Sequence, residues 1–116
     1  MFVLINIWWF WLVLARVSRF CFRKGKREEG FADLDLILTK QARIAKGFRG
    51  FVSLLSRDDK NIASVLTLWD SEEALVASEK EVFAEAVEKV MPLLEKEPDV
   101  EHYRVFSTEM FSRGVT

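Results

Sequence analysis

Two runs of alternating apolar and polar residues, 48–56 and 61–69, are separated only by Arg57-Asp58-Asp59-Lys60. Alternation with period two sends successive side chains to opposite faces of a strand, so two such runs across a short charged turn specify a β-hairpin. On the second run Ile62, Ser64, Leu66 and Leu68 face one way, and Ala63, Val65, Thr67 and Trp69 face the other. Both faces carry apolar residues. A chain holding this hairpin must therefore find cover for it, and the flanking segments decide how.

Upstream, residues 13–22 also alternate, with Val13, Ala15 and Val17 on one face and Leu14, Ser18, Phe20 and Phe22 on the other. A basic turn follows at Arg23-Lys24-Gly25-Lys26-Arg27, where Gly25 can take a positive φ angle. From Arg27 the period lengthens. Phe31, Leu34, Leu38, Gln41 or Ala42, and Ala45 recur at three- and four-residue steps and predict an amphipathic helix, stopped by Lys46 and Gly47. Gly30 within it is expected to loosen the first turn. After the hairpin, Asp70 is expected to cap a helix, with Glu73 closing a capping box. Beyond Glu79 a second helical stretch carries Val82, Phe83, Ala86, Val87, Val90, Met91 and Leu94, bent at its end by Pro92. Pro98-Asp99 forms a turn, and residues 100–106 alternate again as a last strand.

The order strand, helix, strand, strand, helix, strand predicts an α+β fold. This is the ferredoxin-like βαββαβ antiparallel sheet with helices on one face. Such a sheet leaves its other face bare, and monomers rarely expose that much apolar area. A homodimer is the expected solution.

At 116 residues the chain has room for one domain, placed at 13–108, with 109–116 as a C-terminal tail. Acidic and basic side chains nearly cancel to a formal charge of −1, so no field that would draw in nucleic acid is expected. The lone cysteine, Cys21, reads as a small buried hydrophobe. With one cysteine and one histidine, His102, the usual zinc-site spacings are excluded and no metal is expected. Residues 1–12 stand apart: in the run 1–15, MFVLINIWWFWLVLA, Asn6 is the only strongly polar side chain. The run falls short of the roughly 20 residues a spanning helix needs, and nothing basic precedes Arg16 as a secretory signal would require. It reads as a docking arm or extra strand, as a membrane-associating segment through Trp8, Trp9 and Trp11, or as an extension without a role. A cytoplasmic location is expected, with membrane association through the N-terminus as the alternative.

Residues 46–75, KGFRGFVSLLSRDDKNIASVLTLWDSEEAL, resemble the central signature of the antibiotic biosynthesis monooxygenase domain family. That signature has a glycine-aromatic-x-glycine ahead of the second strand, here Gly47-Phe48-Arg49-Gly50. A tryptophan and an acidic-serine pair end the third strand, here Trp69 and Asp70-Ser71-Glu72-Glu73. Residues 16–31 likewise resemble the family's first strand-to-helix junction. The resemblance implies a dimeric α/β barrel with a pocket between helices and sheet in each subunit. It also implies chemistry that, in some members, oxidises polyphenols with molecular oxygen and without cofactor. Trp69 matches a tryptophan proposed to contact substrate or shape that pocket. The asparagine that quinone-forming members carry four residues earlier is Val65 here. The axial histidine of the haem-degrading branch falls near Val87, so that branch is set aside.

Two functions follow as expectations. One is a cofactor-independent monooxygenase acting on a small aromatic or quinone-type substrate. The other is a non-catalytic dimeric ligand-binding or interaction module of the same fold. In the first, Trp69 and His102 are the candidate catalytic residues, His102 because imidazole titrates near neutral pH. Trp69, Phe83 and Arg104 are the candidate substrate contacts. Arg16, Arg19 and Arg49 share with Arg104 the capacity to pair with an anion, although solvated surface is the ordinary fate of such side chains. Tyr103, on the face opposite His102, could donate a phenol proton but more often such a residue packs an interface.

Overall fold

The computed structural model describes residues 13–42 and 44–109. The expectations for residues 1–12, and for the tail beyond residue 109, lie outside the described residues. The chain runs through β1 (Leu14–Cys21), α1 (Arg27–Ala42), β2 (Phe48–Leu55) and β3 (Ile62–Trp69). It continues through α2 (Glu72–Lys80), α3 (Val82–Val90), a short 3-10 turn (Met91–Leu93) and β4 (Asp99–Arg104). The strands form one antiparallel sheet in the order β2-β3-β1-β4. This is the anticipated ferredoxin-like α+β fold, with the 48–69 hairpin along one edge.

Register fixes which side chains share a face. Arg16 lies opposite Thr67 and His102, Ser18 opposite Val65 and Val100, and Phe20 opposite Ala63. Directly paired residues point the same way. This face is the one the helices cover, where Phe31, Leu34 and Leu38 of α1 and Ala86 and Val90 of α3 meet Phe20, Ala63 and Val65. Phe20, Phe22 and Phe31 form a triangle with ring centroids 6.1, 6.5 and 6.3 Å apart. Aromatic pairs at such spacings contribute roughly 0.5–1.5 kcal/mol each beyond area burial. The triangle fills the layer at the C-terminal end of β1. Arg16 stands at the other end.

Several local expectations need correction. α1 stops at Ala42, short of Ala45, and Lys40 rather than Lys46 supplies the cation in its last turn. Gly47, at φ +81°, belongs to the turn into β2; a Cβ there would lie 2.5 Å from Ala74 Cβ and 2.6 Å from Asp70 Oδ1. Gly30 does not loosen the helix. It admits the Phe22 ring, whose Cε1 would sit 2.3 Å from an added Cβ. The cap of α2 is Ser71, not Asp70: its hydroxyl accepts the Ala74 N–H at 3.1 Å. Asp70 is still engaged in the sheet, its N–H donating to the Gly47 carbonyl at 2.9 Å, so the helix begins one residue later. β4 begins at Asp99 and ends at Arg104, two residues before Phe106.

On the face away from the helices, Val17, Leu66 and Leu68 are half-buried, while Val52, Leu54 and Tyr103 remain 40, 50 and 48% exposed. Cys21 is a free thiol of intermediate burial. No helix among the described residues is long and apolar enough to cross a membrane.

Candidate ligand cavity and its buried arginine

A period-two strand places Arg16 on the helix-covered face, and packing leaves it only 2% exposed. Desolvation of a charge that deep is costly unless it is paired and hydrogen-bonded. The partners come from α2. Arg16 Nη2 donates to the Leu75 carbonyl at 2.8 Å and to Ser78 Oγ at 2.9 Å, and lies 3.5 Å from Glu79 Oε1. Its carbon Cζ stands 4.7 Å from the Phe83 ring centroid and 5.9 Å from that of Trp69, within cation–π range. Burial pushes the Arg16 guanidinium below its ordinary value, and Glu79 partly offsets that by charge and hydrogen bonding. An arginine so placed stays charged at any physiological pH.

The break between α2 and α3 creates this arrangement. Ser78 Oγ donates back to the Leu75 carbonyl at 2.6 Å, a local bond of the kind that bends helices. With Arg16 on the same carbonyl, the helix leaves helical geometry at Glu81 (φ −116°, ψ −89°) and restarts at Val82. The restart swings Val82 and Phe83 over the sheet.

Between sheet and helices lies a cavity lined by Arg16, Ser18, Phe48, Val65, Thr67, Trp69, Ser78 and Phe83, among others. Its enclosed room is about 30 Å³. That suffices for a water or two and falls short of the roughly 150 Å³ known to take up a benzene ring. It shares Ala45, Trp69, Ser78 and Val82 with an outer cleft of about 320 Å³, which Lys46, Asp70, Glu73 and Glu81 also line. A ring entering from that cleft must displace Phe83 or Val82, which stand next to the helix break.

The polar inventory of the inner cavity is short. Ser18 and Thr67 are buried, and Thr67 Oγ1 accepts the Trp69 indole N–H at 3.0 Å. Ser78 is committed to Leu75 and Arg16. No histidine, cysteine or carboxylate lines the inner cavity among the described residues. Arg16 Nη1 makes no hydrogen bond to another described residue, and no buried side-chain nitrogen among them is left unpartnered. Arg16 is itself one of the residues that line the cavity.

The sequence-predicted residues divide accordingly. Trp69, 3% exposed, is both core and cavity wall, stacked edge-on against Phe48 with centroids 5.0 Å apart. Phe83 lines the cavity. His102 lies on the same sheet face as Trp69 but outside the lining, at the rim, with its side chain 45% exposed. Its Nε2 is 3.1 Å from Glu79 Oε1 and 3.5 Å from Arg16 Nε. One nitrogen cannot donate to the first and accept from the second together. The hydrogen bond runs from Arg16 Nε to His102 Nε2, and Glu79 stands beside both as a close ionic neighbour. Arg104 is exposed on β4 opposite Leu14 and does not line the cavity. Arg19 and Arg49 are exposed as well. Tyr103, on the far face, donates to Glu101 Oε2 at 2.9 Å, and that acceptor raises the phenol above its ordinary value. The position of the family's asparagine, Val65, is buried apolar wall.

No protein-family model matches the chain, and no curated protein matches it. Solved structures do. A protein of unknown function from Nitrosomonas europaea superposes with a TM-score of 0.73 at 16% identity, covering 89% of this chain and 98% of its own. A structure from the same organism named "Putative antibiotic biosynthesis monooxygenase" superposes with a TM-score of 0.71 at 14% identity, over 81% of this chain and 90% of its own. A protein from Shewanella oneidensis gives 0.70 at 23% identity, over 82% and 92%. At these identities the likeness establishes the fold. It accords with the resemblance carried by residues 46–75.

Proposed function

We propose that the domain binds a small planar aromatic ligand through a single anionic or strongly polarised oxygen, a phenolate or enolate, held by Arg16. The observation that carries this is a buried guanidinium lining an aromatic-walled cavity. The other side of the guanidinium is spoken for, since Nη2 gives to Leu75 and Ser78 and Nε faces the His102–Glu79 pair. A carboxylate would want two parallel N–H donors on different nitrogens. With Nη2 and Nε engaged in this way, the guanidinium suits one oxygen. Trp69, Phe48 and Phe83 supply the apolar faces that such a ring would use.

A nitrophenol tests this, because its phenolate absorbs visible light. In excess protein the phenolate band is expected at a pH about one unit lower, equivalent to about 1.4 kcal/mol of preference for the anion. Arg16→Met is expected to abolish that shift and weaken binding roughly tenfold, the scale of one charged hydrogen bond. Arg16→Lys should retain part of it, with circular dichroism confirming that both variants fold. Benzoate is expected to compete poorly. A shift that survives Arg16→Met, or benzoate binding as well as the phenol, overturns the reading.

A second reading, cofactor-independent oxygenation, draws support from the same arginine and from the names of some fold relatives. Stabilising an enolate prepares a substrate for reaction with oxygen: a ring CH2 and O2 give C=O and water. Arg16 would hold the developing oxyanion. Since no base lines the inner cavity among the described residues, the proton would have to leave through the rim, where Glu79 and His102 stand. Oxygen uptake with anthrone-type or dihydroxyaromatic compounds decides it; binding without uptake selects the non-catalytic ligand-binding module.

A further inference from the structure

Glu79 and His102 touch the guanidinium from outside the cavity. Glu79 Oε1 lies 3.5 Å from Arg16 Nη2 and 3.1 Å from His102 Nε2, with the Glu79 side chain 41% exposed. A carboxylate there partly neutralises the cation that the cavity offers to a ligand. The imidazole Nε2, 3.1 Å from the same oxygen, shares that carboxylate with the guanidinium.

We infer that Glu79 is a built-in competitor for the Arg16 guanidinium and that His102 limits its hold, so that the pair sets how strongly the cavity takes up an oxyanion. This rests on the reading of the cavity as an oxyanion receptor and gives His102 a tuning role in place of an acid/base one. The three residues come from three elements: β1, the last turn of α2, and β4. Only the sheet register that sets Arg16 opposite His102, and the break that ends α2, bring them together.

The two partners then act with opposite sign. Glu79→Gln keeps the size and polarity of the side chain and removes its charge. Nitrophenolate binding to the full chain is expected to tighten roughly two- to fivefold, the scale of a partly exposed ion pair. His102→Ala leaves Glu79 to the arginine alone, and binding is expected to weaken by a similar factor. In the Glu79→Gln background the His102→Ala effect is expected to vanish, because it works through the carboxylate. If the pair merely props Arg16 in place, both variants weaken binding, and the inference falls. It falls too if Glu79→Gln changes nothing while Arg16→Met still abolishes uptake. Absence of any Arg16-dependent binding in the unaltered chain removes the receptor reading, and the inference with it.

Discussion

Gly25 and Gly47 share one backbone state, φ +77° and +81°, in different surroundings. Nothing lies within 4 Å of a Cβ added at Gly25, whereas one at Gly47 would collide with Ala74 and Asp70. Gly25→Ala should therefore cost about 1–2 kcal/mol from the left-handed backbone alone. Gly47→Ala should cost about 1–3 kcal/mol more from overpacking. Urea unfolding of the two variants measures the difference, and equal losses would mean that the α2 start yields without penalty. The same scale shows what pattern reading reaches. Gly25 was legible because a glycine between basic residues at a period change marks a turn. Arg16 was not. A cation at an alternating strand position looks like surface, and nothing nearby in sequence announces that Leu75 and Ser78, 59 and 62 residues further on, will satisfy it. Trp69 and Phe83 were legible as large apolar residues on covered faces, although periodicity could not tell that a cavity lay between them.

At the scale of elements, the hairpin, both helical stretches and the outer strands followed from period and turn chemistry. Their ends did not. α1 stops early and α2 starts late because the turn at Gly47 and the start of α2 pack against each other, a tertiary contact that local propensity does not contain. Ser71→Ala is expected to destabilise the fold by about 1 kcal/mol through loss of the cap, and Ser71→Asp to restore most of it. Thermal unfolding of the two variants checks this; a neutral Ser71→Ala would return the cap to Asp70. α1 is secured differently. Arg27 Nη1 reaches the carbonyls of Ser56, Asp59 and Ile62 at 3.0–3.2 Å, tying the helix start to the hairpin loop. The Arg27 hydrogen bond holds the exposed Glu28 carboxyl below its ordinary value. That favours the folded chain above the unfolded carboxylate range and fades as pH falls through the lowered value.

For the molecule as a whole, packing turns on the sheet face opposite the helices. Val52, Leu54 and Tyr103 lie exposed beside half-buried Val17, Leu66 and Leu68. We expect a second copy to cover them. Sedimentation or light scattering should then give twice the 13.5 kDa of one chain, and Leu66→Glu or Leu54→Glu should shift the particle toward one chain. A particle of one chain at high concentration would assign the cover to something else. Arg16 carries a different lesson about wholeness. It joins the first strand to partners 59 and 62 residues away, closing a loop whose entropic cost is roughly 4 kcal/mol. The arginine site is thus no local module within the chain: neither the hairpin nor a helix pair contains both the guanidinium and the carbonyl that holds it, and only a piece running unbroken from β1 into α2 carries the two together.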